Sequence, residues 1–384
     1  MSNYKHIAKL ATLIKALLPT RVASFFLQHP IVFRMRGEKW RNENPFRFDK
    51  PEWFSSCNSS TAYKIGIIKE FCDQHWPFIA ACRDLDVSYE ILDISGEDWL
   101  DVLVNSNCDA FLCRPSVQYR PWKEMYDEKL RIFSTHDSRL FCPDLNSLWI
   151  WESKRRMNYW LKNNNVPHPR TWVFYNIEQA QSFISACDLP IVFKSDMGSG
   201  ASGVKIIKKR KELQRLVSKC FSVGYTSDRR VFNDKELGFI LFQEYLPNVR
   251  EWRTARVGDS YFAYEKGAVG GIHSGSKSFI YGRPPDEVLN LLKETTDKGN
   301  FESMNVDIFQ TDDGRLLVNE LQAIFGQARS REICRVDGKS GRMIFDNEVE
   351  NWEFEEGAFC QNYMCDLRVK MLLEKLNSHQ DKKL

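Results

Sequence analysis

The sequence predicts an open α/β unit with a parallel sheet, followed by a larger α+β region in which strands and turns outnumber helices. Three observations carry this reading. Short apolar runs alternate with helical patterns between Tyr63 and Asn163. From about 171 to 345 the pattern changes to strands bounded by turn residues, with interspersed helices. The chain has 384 residues, 43% apolar and 27% charged, which is ordinary globular composition and enough for two or three cores.

The first 37 residues hold six basic side chains (Lys5, Lys9, Lys15, Arg21, Arg34, Arg36) and no acidic one. Leu10, Ile14 and Leu17 recur at helical spacing, and Pro19 is expected to end that helix. Docking on the protein's own core and lying on an anionic membrane surface both fit such a basic amphipathic segment. Residues 38–60 read as an irregular connector. Strands are expected at 64–68, 87–94 and 109–113, with a helix at 76–85. A single helix is expected over 148–163, stopped by Asn163-Asn164-Asn165 and by Pro167 and Pro169. Later helices are expected at 286–297 and about 359–376. The expected boundaries are a basic extension and connector at 1–60, the α/β domain at 61–147, subdomains at 148–240 and 241–345, and a helical tail at 346–384.

Composition excludes several classes. No stretch approaches 18 uninterrupted apolar residues, so a spanning helix is not expected. Lys15 interrupts the apolar run at 10–18 and no small-residue cleavage pattern follows, so no signal peptide is expected. A net charge of +3 is too small to argue for nucleic acid. The eleven cysteines include no C-x-x-C pair, which points to free buried thiols in a reducing cytoplasm rather than to zinc or a disulfide framework.

Chemistry concentrates in a few segments. Ile-Val-Phe-Lys194-Ser-Asp-Met-Gly198-Ser199-Gly200-Ala-Ser-Gly203-Val-Lys-Ile-Ile contains G-x-G-x-x-G, but a dinucleotide fingerprint needs a helix to begin at the last glycine. Val204–Ile207 is β-branched and apolar, so a strand–glycine loop–strand lid is expected instead. Its backbone N–H groups could approach phosphate oxygens because no Cβ obstructs them. Lys194 would bring a positive charge to the same place. An ordinary Gly/Ser loop is the competing reading.

Further on, Asp313-Gly314 between apolar runs signals a two-residue hairpin turn. Asp312 would then face Arg315, and counting back puts Asp307 opposite Glu320, with Gln322 on the face of Glu320. Facing carboxylates repel unless a cation lies between them, and Mg²⁺ is commonly held by a few carboxylates plus phosphates. Two solvated acids on a surface hairpin would look the same. A second turn at Gly258-Asp259 puts Glu251 opposite Lys266 and Arg253 opposite Tyr264. An apolar strand at 239–246 ends in Gln243, Glu244 and Leu246, where backbone groups could meet a planar base.

In this order the segments resemble the ATP-grasp superfamily of carboxylate–amine ligases, over roughly residues 62–345. The resemblance implies a parallel α/β domain followed by two α+β subdomains that clamp ATP. It implies that Lys154 and Lys194 contact the ATP phosphates or the base, that the loop of Gly198, Ser199, Gly200 and Gly203 closes over the phosphates, that Gln243, Glu244 and Leu246 hold adenine, and that Glu251 takes the ribose. Asp307, Glu320 and Gln322 would ligate Mg²⁺, and Arg253 and Lys266 would act near the transferring phosphate or the substrate carboxylate. Gln322 stands where the family usually has Asn. The implied reaction phosphorylates a carboxylate with ATP and lets an amine attack the acyl phosphate, between small-molecule substrates and without nucleic acid. The Asn319–Gly326 stretch and the basic N-terminal segment look similar to ATP-grasp proteins of bacterial surface polysaccharides, with residues 1–37 at the inner membrane face. A small-molecule or protein kinase and an inert nucleotide-binding scaffold are the competing functions; the protein-kinase motifs His-Arg-Asp and Asp-Phe-Gly are missing from the sequence.

Overall fold

β1 (Ser55–Ser56) and β2 (Lys64–Ile68) open the part of the chain that the computed structural model describes, which comprises residues 55–56, 62–70, 75–115, 117, 120–198, 203–226, 235–269, 272–273, 278–325 and 333–381. The amphipathic segment expected at 1–37, nearly all of the connector at 38–60, and Ser199 and Gly200 lie outside these residues.

The first domain continues with α1 (Trp76–Asp84), β3 (Ser88–Leu92), α2 (Trp99–Val104), β4 (Ala110–Leu112), α3 (Arg120–Phe133) and β5 (Leu140–Cys142). Its sheet runs β1-β3-β2-β4-β5, parallel except for β1 at the edge. Ile65 and Ile67 point to one face, and Gly66 to the other. A Cβ on Gly66 would lie 2.7 Å from Phe111 Cδ1, so glycine lets Phe111 and Leu92 close over the strand. The expected strands are present here: β2 has the expected bounds, and β3 and β4 are one to two residues shorter at their ends.

The single helix expected at 148–163 is two: α4 (Leu145–Ile150) and α5 (Lys154–Asn163). Glu152 adopts a left-handed φ of 71°, which no helix accommodates, and Ser153 restarts the helix by accepting a hydrogen bond from Arg156 N. Lys154 is therefore the first residue of a helix rather than a mid-helix side chain.

The first subdomain is a four-stranded antiparallel sheet with two helices on it: β6 (Thr171–Phe174), α6 (Ile177–Ala186), β7 (Ile191–Lys194), β8 (Val204–Ile207), α7 (Arg210–Cys220) and β9 (Ile240–Glu244), in the order β6-β9-β7-β8. The expected boundary at 240/241 is incorrect. β9 lies between β6 and β7, buried over four of its five residues, so it belongs to this sheet's interior.

The second subdomain is an eight-stranded antiparallel sheet. It contains β10 (Arg250–Val257) and β11 (Ser260–Lys266), with the small pair β12 (Ala268–Val269) and β13 (Ile272–His273) beside it. β14 (Phe279–Ile280), α8 (Asp286–Gly299), β15 (Ser303–Gln310), β16 (Leu316–Gln322), β17 (Arg335–Val336), β18 (Lys339–Asp346) and β19 (Asn351–Glu356) complete it. The expected boundary at 345/346 cuts the β18–β19 hairpin, whose pairing from Gly341↔Glu356 to Asp346↔Asn351 keeps both strands in this sheet.

The tail helix starts later than expected. Asn362, Tyr363 and Met364 all have positive φ, so α9 begins at Cys365 and runs to Asp381. Its Cys365, Val369 and Leu372 pack with Phe78, Ile65 and Ala110, closing one face of the first sheet. The other face shares one core with the large sheet and α8, through side chains such as Phe111, Leu130, Met157, Val306 and Leu292. The nine described cysteines are free, and burial pushes the thiols of Cys82, Cys113 and Cys142 up, away from reactivity.

Candidate active site

The lid is strand–loop–strand. β7 and β8 pair antiparallel with Lys194 opposite Val204, and Ser195 N donates to Gly203 O at 2.9 Å, so no helix follows the glycines. Gly203 has φ 85°, and a Cβ there would meet Ser195 Oγ at 2.6 Å, which makes glycine necessary at the lid's base. The other end is tied to the start of α5. Lys154 Nζ donates to Gly198 O at 2.7 Å, and Gly198 N donates to Glu152 Oε2 at 3.2 Å. Burial pushes the Glu152 carboxyl up; Lys154 opposes the shift and Glu320 adds to it. Asp196 accepts from Ser153 Oγ at 2.8 Å, Arg155 N at 3.0 Å and Arg155 Nη2 at 2.8 Å. Burial works against that carboxylate, but Arg155 holds it below the usual range.

The large sheet supplies the acids and cations. The Gly258-Asp259 turn sets the register expected from sequence, with Glu251↔Lys266 and Arg253↔Tyr264. The β15–β16 hairpin reaches its register by another route. Thr311 N bonds Arg315 O at 3.0 Å and Gly314 N bonds Thr311 O at 2.9 Å, so the loop has three residues, Asp312–Gly314, and Thr311 rather than Asp312 faces Arg315. This shifts the pairs near the turn by one, to Ile308↔Val318. A β-bulge at Asn319 then restores Asp307↔Glu320 and Asn305↔Gln322.

These strands converge on Asp307. Lys266 Nζ lies 2.6 Å from Asp307 Oδ2 and 2.6 Å from Glu251 Oε1. Arg253 Nη1 lies 3.8 Å from Asp307 Oδ2, and its Nη2 donates to Gln322 Oε1 at 3.0 Å. Asn305 Nδ2 donates to Asp307 Oδ1 at 3.0 Å. Burial disfavours the charges of Arg253 and Lys266, yet Asp307 and Glu251 outweigh it and both titrate above their ordinary values. Asp307 is likewise held below its ordinary value, against burial, by Lys266 and Arg253.

Across the cleft, Lys154 Nζ lies 3.7 Å from Glu320 Oε1, and Lys194 Nζ donates to Asn319 Oδ1 at 2.8 Å. Burial draws the Lys194 ammonium down to about 8, against the pull of Glu320. Between the two subdomains a space of about 20 Å³ remains, lined by Lys154, Met157, Lys194, Gln243, Val318 and Asn319 among others. That is room for about one water. Gln243 lines this space and donates to Thr171 Oγ1 at 3.2 Å, while Glu244 accepts from Arg170 N and Nε at 2.7 and 3.0 Å. Strand alternation puts these neighbours on opposite faces, so the Glu244 side chain cannot join Gln243 around a base. Leu246 lies beyond the end of β9. A wider crevice of about 580 Å³, between Arg131–Thr135, Asp144–Asn146 and Gly299–Asn300, carries none of the expected residues.

Among the described residues no three His, Cys, Asp or Glu side chains gather as a metal site. Asp307 and Glu320, opposed on adjacent strands, still fit a Mg²⁺ that takes its remaining ligands from phosphates and water. Gln322 is already engaged by Arg253. Asn319, Met157, Asn158 and His168 also line the cleft and were not found by sequence reading. Asn319 opens the Asn319–Gly326 stretch, and at the bulge its Oδ1 accepts from Lys194 Nζ.

No protein-family model matches the chain, and no curated protein matches it. Solved structures do. A D-cycloserine synthetase, DcsG, superposes with a TM-score of 0.51 at 16% identity, over 82% of this chain and 99% of that one. An ADP complex of PurK, an N5-carboxyaminoimidazole ribonucleotide synthetase, gives 0.51 at 14% identity over 84% and 99%. D-alanine–D-alanine ligase from Bacillus anthracis gives 0.50 at 13% identity over 83% and 100%. Likeness at these identities establishes the fold, and the chain has the ATP-grasp fold.

Proposed function

We propose that this protein is an ATP- and Mg²⁺-dependent ligase that activates a carboxylate as an acyl phosphate and joins it to an amine. The observation that carries this reading is the convergence, from separate elements, of Lys154, Lys194, Arg253 and Lys266 with Glu251, Asp307 and Glu320 in one cleft. Phosphoryl transfer needs positioned cations and little covalent help, and this set offers cations without a nucleophilic triad. Lys154 and Lys194 approach the phosphates from the lid side, and Glu251 is the candidate for the ribose hydroxyls. Arg253 and Lys266 neutralise charge on the opposite wall. Mg²⁺, held by Asp307 and Glu320, would supply charge neutralisation at the phosphate oxygens. Backbone groups of 244–246 and the Gln243 side chain are the candidates for adenine.

The substrate class is small-molecule carboxylate and amine. The resemblance of the Asn319–Gly326 stretch to proteins of bacterial surface polysaccharides makes a sugar acid the first carboxylate to try, with residues 1–37 bringing the enzyme to the inner membrane face. Among the described residues no helix is long and apolar enough to cross a membrane.

Incubation with ATP, Mg²⁺ and pooled amino acids and uronic acids, read by mass, tests the reading. Condensed product with ADP and phosphate is expected. A phosphorylated product that is stable without an amine would establish a kinase instead, and no turnover in any pool would leave only a nucleotide-binding scaffold.

A further inference from the structure

Arg114 stands just past the end of β4, at the carboxyl edge of the parallel sheet. β3 and β4 flank β2 on opposite sides, so the chain reverses its winding between β2 and β4. Open parallel sheets bind ligands in the crevice at that position. Among the described residues, the buried Nε and Nη1 atoms of Arg114 have no hydrogen-bond partner. Its one recorded ring contact is with Tyr363, whose centroid lies 5.7 Å from Cζ. Burial pulls its pKa down and the charge of Arg368 adds to that, against Cys365, Tyr363 and Glu70, which favour the charged form.

Arg368 offers a contrast. It is 1% exposed, yet each of its nitrogens is satisfied: Nε by Ser303 Oγ at 2.8 Å, Nη1 by Tyr363 O at 2.9 Å and Nη2 by Phe325 O at 3.2 Å. Phe325 follows Gln322 by three residues along the chain leaving β16, so the Arg368–Tyr363 unit joins Arg114 to the exit of the catalytic hairpin. One arginine is a structural tie. The other keeps two buried nitrogens without an acceptor among the described residues, with only the longer-range charge of Glu70 to offset them, which is costly unless a ligand supplies an acceptor.

We propose that the Arg114 guanidinium binds an oxyanion, a carboxylate or phosphate, carried by the substrate that enters between the first domain and the Asp307–Glu320 hairpin. A guanidinium fork suits such a group, pairing with two oxygens at once. The assignment to substrate rests on the ligase reading; the assignment of an oxyanion site does not.

Thermal unfolding of the full chain with saturating ADP, at constant ionic strength, tests it with succinate and with inorganic phosphate as separate probes. At least one probe is expected to stabilise wild type, with about tenfold or greater loss of apparent affinity in Arg114→Gln and a smaller loss in Arg114→Lys. The probe that acts identifies the group. Equal stabilisation of wild type and Arg114→Gln by the active probe, or no effect of either probe on wild type, overturns the proposal. If Arg114→Gln does not fold, phenylglyoxal labelling of wild type replaces it: the Arg114 peptide should be modified and the active probe should protect it, whereas modification without protection overturns the proposal. A missing ADP shift in wild type would refute the nucleotide reading while leaving the anion comparison intact.

Discussion

Lys266 Nζ lies 2.6 Å from Asp307 Oδ2, with the lysine side chain 6% and the aspartate 2% exposed. The same ammonium reaches Glu251 Oε1 at 2.6 Å, so one buried cation holds carboxylates from two other strands. Glu251 and Asp307, the acids proposed for ribose and metal, are thus aligned by one shared lysine.

Replacing that cation exposes its worth. Lys266→Met leaves two carboxylates in a dry site and should cost about 3–5 kcal/mol by urea unfolding, with part of the loss recovered in Lys266→Met/Asp307→Asn. The Asp307 carboxyl titrates below its unfolded value, so its contribution is present above about pH 4 and fades as pH falls through the folded value. Lys266 titrates above its unfolded value, so its contribution is present below about pH 10 and is lost as pH rises through the folded value. The difference between wild type and Lys266→Met should be flat in neutral solution and shrink in acid.

Nucleotide binding should depend on Lys194. With its ammonium drawn down to about 8, ADP affinity should fall as pH rises through that value. The unfolded lysine keeps its proton to about pH 10.4, so folded stability should rise between the two values while affinity drops. In Lys194→Arg the affinity should stay level over the same range, which calorimetric titration checks directly.

Asn319 has two separable jobs. Asn319→Ala removes the acceptor for Lys194 and should weaken ADP binding about tenfold, the scale of one charged hydrogen bond. Deleting Asn319 removes the bulge and turns either Glu320 and Gln322 or the residues before them to the wrong face. The deletion should abolish turnover in a protein that still folds by circular dichroism.

Asp196 fastens the lid to α5. Asp196→Ala removes the acceptor for Ser153, for Arg155 N and for Arg155 Nη2, and should cost about 3 kcal/mol by thermal unfolding. Its depressed carboxyl means this contribution is present above about pH 4 and is lost as pH falls further.

Much of this site was legible because turns and strand period are local. The Gly258-Asp259 turn, with Gly258 at φ 57°, set the whole β10–β11 ladder and with it Glu251, Arg253 and Lys266. Val204–Ile207 marked a strand by β-branching alone. Asp307↔Glu320 was read correctly by a count that missed two features, a three-residue loop and a bulge, which cancel. Neither has a sequence signature separate from the hairpin's own. The break at Glu152 was hidden because its left-handed backbone depends on burial and on Gly198, 46 residues away. The 240/241 boundary cut β9 because that strand's central place in the sheet depends on pairing with β6 and β7. Arg114 was invisible for the same reason, since only the topology sets it at the edge of the first sheet.

The most direct test of the account supplies the enzyme with carboxylates labelled with heavy oxygen, together with amines, ATP and Mg²⁺, and follows the label into inorganic phosphate. An acyl phosphate intermediate predicts that one labelled oxygen leaves with each phosphate released, in step with condensed product, and that Asp307→Asn stops both. Product formation with unlabelled phosphate would contradict the account.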